Sequence, residues 1–309
     1  MEIFLDYLYI LIGLVGLFLG GEALVRGSVN IARRLSISPL IIGLTVVGFG
    51  TSTPELLVSV QAALRGVPDI AIGNIVGSNI ANILLIVGVT ALVWPIRVGE
   101  GSLRRDTAFM IASCLLLVPL FALGEIGRVP GVILVACLVV YLVWTFLKPG
   151  QDTTDNERSA APGSVVISLL WIGFGLAALL FGARFLVDGA VSVARDFDVS
   201  EAFIGLTIVA VGTSLPELAT SLTAALRRQS DIAIGNIVGS NIFNVLGILG
   251  VTALIAPIPV ASRFLTFDLP IMIAVSFVLT GLLLTLPQIG RGVGSLFILG
   301  YAVYVVAAQ

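Results

Sequence analysis

Long apolar runs, separated only by short charged or turn-forming segments, fill almost the whole sequence. The hydrocarbon core of a bilayer is about 30 Å thick, so a helix needs roughly 20 apolar residues to cross it. The runs have about that length, and their number predicts an all-α integral membrane protein with ten transmembrane helices. The predicted spans are 3–32, 38–64, 70–94, 105–124, 129–148, 164–194, 201–226, 232–256, 264–286 and 292–308.

Composition excludes several classes of function. Hydrophobic residues make up 58% of the chain and charged residues 11%, whereas a typical soluble domain has about 25% charged residues, so a soluble globular protein is excluded. Sixteen basic and eighteen acidic residues give a net charge of −2, which leaves no basic surface for nucleic acid. The chain has no histidine, and its two cysteines, Cys114 and Cys137, lack a metal-binding spacing. We therefore expect neither an enzyme site nor a resident cofactor.

A hydrophilic segment divides the chain into two halves. Residues 149–163 combine proline, glycine, serine and charged side chains, a composition typical of a solvated linker. The N-terminal half, 1–148, and the C-terminal half, 164–309, each hold five predicted spans. Neither half leaves room for a separate soluble domain. The lipid bilayer is therefore the expected surrounding, and no obligate protein partner is indicated.

The two halves repeat each other. When residues 43–82 are aligned with 205–244, an offset of 162, 28 of 40 positions are identical, and these include Thr, Ser, Pro, Glu, Asp and Asn. Shared polar residues indicate a duplicated functional unit. Because each half has an odd number of spans, the second copy enters the membrane from the opposite side. This predicts two inverted five-helix repeats of the kind found in secondary transporters.

The basic residues predict the orientation of the chain. With both termini outside, eleven of the sixteen basic residues fall in cytoplasmic loops and helix ends, and four fall in outer loops. Cytoplasmic loops of membrane proteins carry an excess of Lys and Arg. We therefore expect external N- and C-termini and a cytoplasmic 149–163 linker.

The second span of each half contains a proline followed by a glutamate. The segments read GTSTPE, with Pro54 and Glu55, and GTSLPE, with Pro216 and Glu217. Proline inside a helix frees the carbonyl four residues earlier, and a freed carbonyl in hydrocarbon needs a neighbour, a water or an ion. A charged residue at mid-membrane costs at least about 2.5–3.5 kcal/mol. Its repetition at the same point of both halves predicts a bound cation.

The third span of each half carries a polar stripe. Asparagine, serine and asparagine recur at intervals of four, which puts them on one helical face. Together with the two carboxylates they form an all-oxygen ligand set, which suits Ca²⁺ or Na⁺ and suits zinc or copper poorly. The stripe residues are Asn74, Ser78 and Asn82 in the first half and Asn236, Ser240 and Asn244 in the second.

The same motifs carry a family resemblance. GTSTPELLVS and GTSLPELATS, each followed by GNIVGSNI, resemble the two α-repeats of the calcium:cation antiporter superfamily, especially its prokaryotic sodium/calcium exchangers. The resemblance implies ten helices in inverted repeats in a prokaryotic plasma membrane. It also implies exchange of Ca²⁺ for Na⁺ by alternating access, with the cation sites clustered at mid-membrane.

The resemblance further implies roles for individual residues, in a calcium site, flanking sodium sites and a central position. The implied Ca²⁺ ligands are Glu55 and Glu217, which also share Na⁺, with the carbonyls of Thr51 and Thr213; the flanking Na⁺ ligands are Ser78 and Ser240 with carbonyls near Gly48 and Ala210; Asn82 and Asn244 line the central position. Some archaeal relatives carry Asp at the position of Asn244. This chain has one ionisable group fewer, so the occupancy of the central position and the Na⁺ stoichiometry stay open.

Other interpretations also stay open. The two glutamates fit protonated structural carboxyls, and the asparagines of the central position fit hydrogen bonds between helices. The sequence favours a structural role for Asn74, Asn79, Asn236 and Asn241. Coupling of Ca²⁺ to H⁺, or dependence on K⁺, is an alternative with the same fold, and a channel is an alternative of a different class.

Overall fold

The computed structural model describes residues 2–35, 37–98, 103–147, 164–197 and 210–308, and nearly all of them are helical. The 149–163 linker and residues 201–209, which begin the predicted span 201–226 and include the start of the second repeated motif, lie outside the described residues. In chain order the helices are α1 (Glu2–Leu35), α2 (Pro39–Thr51), α3 (Thr53–Leu64), α4 (Pro68–Val93), α5 (Leu103–Ala122), α6 (Arg128–Leu147), α7 (Val165–Asp196), α8 (Ala210–Gly212), α9 (Leu215–Leu226), α10 (Ser230–Ile255), α11 (Phe264–Thr285) and α12 (Arg291–Ala307).

The described helices confirm an all-α membrane protein. Seven of them, α1, α4, α5, α6, α7, α10 and α11, are long and apolar enough to cross a bilayer, and the bent pair of α2 and α3 makes an eighth if it counts as one span. Large apolar side chains such as Phe18, Leu170 and Val306 are 64–70% exposed. A soluble protein would bury such side chains, so this surface is suited to lipid.

Glycines allow the two longest helices to pack closely. On α1, a Cβ at Gly20 would stand 2.9 Å from the carbonyl oxygen of Gly175 on α7, and a Cβ at Gly16 would stand 3.0 Å from the Cα of Gly182. Contacts this short leave no room for a side chain, as at other interfaces of small residues between membrane helices. These glycines therefore join α1 of the N-terminal half to α7 of the C-terminal half.

A second glycine contact brings the repeated motifs of the two halves together. On α10, a Cβ at Gly235 or Gly239 would overlap the backbone of Leu40 or Leu44 on α2. From the other side, a Cβ at Gly48 would stand 3.0 Å from the backbone nitrogen of Ser240. The backbone of α2 thus lies directly on α10, and the two glycines four residues apart on α10 permit this close contact.

The helix breaks that the prolines predict are present. The axes of α2 and α3 meet at 44°, with Ser52 between them, and Pro54 lies in the first turn of α3. The second half repeats this arrangement, because α8 ends at Gly212 and α9 begins at Leu215 with Pro216 in its first turn. Proline is favoured there, since the first turn has no intrahelical use for its missing N–H. Each glutamate therefore stands at the start of a new helix.

Four π-helical turns in the described residues were not predicted from the sequence. Two of them, at Gly43–Val47 and Phe264–Asp268, lie in α2 and α11. The other two cover Asn82–Ile86 within α4 and Phe243–Ile248 within α10, which are equivalent positions of the two repeats. A π turn holds one more residue than an α turn and is frequent at functional sites. Here it includes both asparagines of the central position.

Four two-residue strands link the halves. They are β1 (Ile96–Arg97), β2 (Glu125–Ile126), β3 (Ile258–Pro259) and β4 (Gln288–Ile289). β1 pairs with β4 and β2 pairs with β3, both antiparallel, with Ile96 opposite Ile289 and Ile126 opposite Ile258. Because β3 is the repeat equivalent of β1, and β4 that of β2, the two ladders are copies of one contact. Each ladder joins the first half of the chain to the second.

Candidate cation-binding site

Two buried carboxylates form the centre of the candidate site. Glu55 and Glu217 lie in the first turns of α3 and α9, and each residue is 1% exposed. The free N–H groups and the dipole at a helix N-terminus favour a negative charge. That contribution is about 0.3–2 kcal/mol, less than the insertion cost of one charge at mid-membrane. The carboxylates therefore need further compensation.

A serine from the opposite half donates to each carboxylate. Ser52 Oγ donates to Glu217 Oε1 at 2.8 Å, and Ser214 Oγ donates to Glu55 Oε1 at 3.3 Å. Because Ser52 is only three residues from Glu55, this exchange brings both carboxylates into one site. Sequence reasoning missed these serines, although the Gly-Thr-Ser that both motifs share contains the signal.

Several buried oxygens of the site receive no hydrogen bond. Among the described residues no donor reaches the second carboxylate oxygen of either glutamate, the hydroxyl of one threonine or the amide oxygens of the central position. These atoms are Glu55 Oε2, Glu217 Oε2, Thr213 Oγ1, Asn82 Oδ1 and Asn244 Oδ1. Buried polar atoms in native proteins nearly always have a partner. Five acceptors without donors are the arrangement that a cation would satisfy.

The central asparagines link the halves and still keep one oxygen each. Asn82 Nδ2 donates to Asn241 Oδ1 at 3.1 Å, and Asn244 Nδ2 donates to Asn79 Oδ1 at 3.3 Å. An amide has a separate donor and acceptor. A hydrogen bond between helices and cation ligation, which are alternatives at the level of sequence, are therefore compatible in this geometry. The role of Asn79 and Asn241 as partners of the central amides is a second feature that the sequence did not predict.

Residues predicted for the flanking positions come together only in part. Ser240 Oγ donates to the Gly48 carbonyl at 3.4 Å, so these two residues meet across the halves. Ser78 is buried, 5% exposed, on α4. Ala210 begins α8, a helix that contacts α4. The hydroxyl of Thr51 donates to the Val47 carbonyl at 3.1 Å and lies 3.1 Å from Asn236 Oδ1, so it supports the break in the helix.

Asn74 and Asn236 have the structural contacts that the sequence favours for them. Asn74 Nδ2 donates to the backbone carbonyl of Glu55 at 3.0 Å and to Ser59 Oγ at 2.9 Å. Asn236 Nδ2 donates to the Glu217 carbonyl at 3.2 Å and to Ser221 Oγ at 2.9 Å. Each amide thus ties α4 or α10 to the backbone of the residue that carries the carboxylate.

The oxygen atoms of the site are ligands of the kind that suit a hard cation. In the described part of the chain, no group of three or more His, Cys, Asp or Glu residues could hold a metal ion. The site instead combines two carboxylates with neutral oxygens, a set that Ca²⁺ accepts. Two ionised carboxylates balance the formal charge of one Ca²⁺ or of two Na⁺.

Known proteins match the chain along nearly its whole length. The family described as sodium/calcium exchanger protein matches residues 5–147 and 167–308. The inner membrane protein YrbG of Escherichia coli is 37% identical over 305 residues, which cover 96% of this chain and 94% of that protein. The sodium/calcium exchanger MaX1 of Methanosarcina acetivorans is 32% identical over 342 residues, which cover 97% of each chain.

A solved structure agrees with these matches. The sodium-calcium exchanger NCX_Mj, soaked with 2.5 mM Na⁺ and 0.1 mM Ca²⁺, superposes with a TM-score of 0.85 at 35% sequence identity, over 99% of both chains. The matching proteins are membrane proteins and exchangers, in line with the expectation that this chain is not an enzyme. The chain therefore belongs to the sodium/calcium exchanger family of the calcium:cation antiporter superfamily, whose members exchange cations.

Proposed function

We propose that this protein is a secondary active antiporter that exchanges Ca²⁺ for Na⁺ across the membrane by alternating access. The observation that carries the proposal is the set of buried oxygens without donors, which includes one carboxylate oxygen of each of Glu55 and Glu217. Oxygens buried within a membrane protein without donors are costly, and the transported cations would supply the missing partners. Family membership supports the same activity.

The proposed ligands are the residues that the resemblance implies. Glu55 and Glu217 bind Ca²⁺ and, in its absence, Na⁺; neutral oxygens complete the coordination. These are the carbonyls of Thr51 and Thr213, the side chains of Asn82, Asn244, Ser78 and Ser240, and the carbonyls of Gly48 and Ala210. Support is strongest where described contacts already join the two halves, as between Ser240 and Gly48.

Charge balance explains how such a site couples the two cations. With both carboxylates ionised and no cation bound, the site carries two negative charges in a low-dielectric region, and moving it through the membrane would be costly. One Ca²⁺ or two Na⁺ neutralise that charge. Because both cations use the same carboxylates, they compete for the site, and the protein reorients with one or the other bound.

The strand ladders support ten spans in two inverted halves. Paired strands lie on the same side of a membrane, so the chain between β1 and β4 crosses it an even number of times. Between these strands, five described helices are long and apolar enough to cross a bilayer: α5, α6, α7, α10 and α11. An even count requires one further crossing, which we assign to residues 201–226. The proposed halves, 1–148 and 164–309 joined by the 149–163 linker, are compatible with this count.

The proposed orientation has both termini outside and the linker in the cytoplasm of a prokaryotic cell. It puts the ladder of β1 and β4, with Arg97, on the cytoplasmic side. It puts the ladder of β2 and β3 on the outer side. The excess of Lys and Arg in the cytoplasmic loops supports this choice.

A flux measurement tests the exchange. Purified protein is reconstituted into liposomes loaded with Na⁺, and ⁴⁵Ca²⁺ uptake is followed after dilution into Na⁺-free medium. We expect uptake that depends on the outward Na⁺ gradient and that ceases when internal Na⁺ is replaced by choline. Uptake that is indifferent to the Na⁺ gradient contradicts the coupling.

The same vesicles test the other couplings of this fold. Buried carboxylates also bind protons, so uptake driven by a pH gradient in the absence of Na⁺ would favour Ca²⁺/H⁺ exchange. Loss of uptake when K⁺ is omitted would favour K⁺-dependent exchange. Net Ca²⁺ flux without saturable counterflow would favour a channel.

A further inference from the structure

Two methionines contact Asn79 and Asn241, the asparagines that hydrogen-bond to Asn82 and Asn244. The chain has three methionines, and those after Met1 are Met110 and Met272, whose separation of 162 residues is the offset of the repeat. Both side chains are fully buried, Met110 on α5 and Met272 on α11. The pairing of the two internal methionines at equivalent buried positions points to a use for their sulfur atoms.

Each sulfur accepts a hydrogen bond from an asparagine. Asn79 Nδ2 donates to Met272 Sδ at 3.5 Å, and Asn241 Nδ2 donates to Met110 Sδ at 3.7 Å. A thioether accepts hydrogen bonds and donates none. Each sulfur therefore orients one amide, so that the NH₂ group faces the methionine and the oxygen faces Asn244 or Asn82.

That orientation is passed on to the central amides. The oxygens of Asn79 and Asn241 accept from the NH₂ groups of Asn244 and Asn82. The oxygens of Asn82 and Asn244 themselves are among the buried atoms that have no donor within the described residues. We infer that Met110 and Met272 are positioning residues that make Asn82 and Asn244 present oxygen, and not NH₂, to the transported cation; this inference rests on the proposed function.

The reverse arrangement shows why an acceptor is needed at the methionine position. If the amide of Asn79 turned over, its oxygen would face the sulfur lone pairs and its NH₂ group would face Asn244. Asn244 would then accept that hydrogen bond with its oxygen and turn its own NH₂ group toward the cation. An NH₂ group repels a cation, so the site would lose one ligand. The sulfur atom is the group in this chain of contacts that distinguishes the two arrangements.

The inference is tested by substitutions that remove the methionine sulfur but keep the volume of the side chain nearly the same. Met272→Leu fills nearly the same space but offers no acceptor, whereas Met272→Gln offers a carbonyl oxygen. In the full-length protein, Ca²⁺ affinity is measured from ⁴⁵Ca²⁺ binding in Na⁺-free detergent solution and from the KM for Ca²⁺ in proteoliposomes, and melting temperature reports folding. We expect Met272→Leu to weaken Ca²⁺ affinity about three- to fivefold, the effect of one hydrogen bond.

The expected pattern is specific to positioning. In Met272→Leu the KM rises while the maximal rate and the melting temperature stay near those of the unaltered protein, and Met272→Gln restores the KM. Met110→Leu and Met110→Gln should repeat the pattern. Unchanged affinity in both Leu variants, or equal losses in the Leu and Gln variants, overturns the inference alone. If the unaltered protein neither binds Ca²⁺ nor exchanges it in proteoliposomes, the proposed function is overturned and this inference with it.

Discussion

Each glutamate of the site faces a serine from the opposite half, so neither half forms a complete site alone. Ser52 and Ser214 occupy one oxygen of each carboxylate and leave the second oxygen free. A hydroxyl can donate only one hydrogen bond. At the scale of single residues, the site therefore keeps its carboxylates oriented without satisfying them, which is the condition for reversible binding of a cation.

Replacement of either glutamate by glutamine removes one of the two charges that balance Ca²⁺. We expect Glu55→Gln and Glu217→Gln each to weaken Ca²⁺ binding about 10- to 100-fold, since hydrogen-bonded and charged partners are worth about 1.5–3 kcal/mol, and to abolish exchange. ⁴⁵Ca²⁺ binding in Na⁺-free detergent solution measures the first effect, and ⁴⁵Ca²⁺ flux in proteoliposomes measures the second. Glu125→Gln, an identical change at an exposed strand residue, is the control and should exchange normally. Normal exchange in either site variant would refute this assignment of the ligands.

The buried amide of Asn236 illustrates a residue near the site that acts on stability. Asn236→Ala removes the side-chain donor to the Glu217 carbonyl and to Ser221 Oγ, and the loss of two buried hydrogen bonds costs about 1–3 kcal/mol. We expect a lower melting temperature in detergent, with Na⁺/Ca²⁺ competition unchanged in the protein that remains folded. Gln61→Ala, which removes an exposed amide from α3, should have no effect. Altered competition at unchanged stability would assign Asn236 to the ligands instead.

At the scale of helices, the apolar pattern predicts much of what the structure contains. The predicted span 38–64 corresponds to α2 and α3, and the predicted span 129–148 corresponds to α6, shifted by one residue. The break at Pro54 follows from local chemistry and is also predictable. The π turn at Asn82 and the strand pairs are different, because they depend on contacts between distant segments, and two-residue strands are too short to leave a pattern.

The contact of α2 with α10 leads to a prediction about helix packing. Gly239→Ala would push its methyl group into the backbone of Leu44, and a backbone cannot move aside as a side chain can. Overpacking typically costs about 1–3 kcal/mol, and here it would also separate Ser240 from Gly48. We expect reduced melting temperature and a weaker apparent affinity for Na⁺ in the flux assay.

Gly281→Ala is the matched control for this substitution. Gly281 is exposed on α11, and apart from the adjacent backbone of its own helix no described heavy atom would lie within 4 Å of a Cβ at this position. Its replacement should leave both quantities unchanged. If Gly239→Ala behaves like Gly281→Ala, the close approach of α2 and α10 does not hold in the membrane.

At the scale of the whole molecule, the duplication explains why the sequence indicates the proposed ligands but not the residues that contact them. The glutamates and central asparagines occur at the same positions in both copies, so the alignment of the halves singles them out. The partners of these residues lie in the other copy: Ser214 donates to Glu55, and Asn241 accepts from Asn82. Which residues of the two halves contact each other is a property of the assembled fold, and no spacing along the chain reveals it.

The strand ladders offer a direct test of the inverted arrangement. Arg97 pairs with Gln288 and Glu125 pairs with Pro259, and paired Cα atoms in an antiparallel ladder are about 4.5–5.5 Å apart, within the range for a disulfide. In a background with Cys114 and Cys137 replaced by alanine, Arg97→Cys with Gln288→Cys should form a disulfide on mild oxidation. Glu125→Cys with Pro259→Cys should do the same.

Accessibility then assigns each ladder to one side of the membrane. In inside-out vesicles, a membrane-impermeant maleimide should label single cysteines at positions 97 and 288, which the proposed orientation assigns to the cytoplasm, and in intact cells it should label those at 125 and 259. The control pair Arg97→Cys with Glu125→Cys should not cross-link, because a bilayer separates its members. Cross-linking of that pair, or labelling of 97 and 288 from opposite sides, would contradict an even number of crossings between β1 and β4 and with it the ten-span inverted repeat.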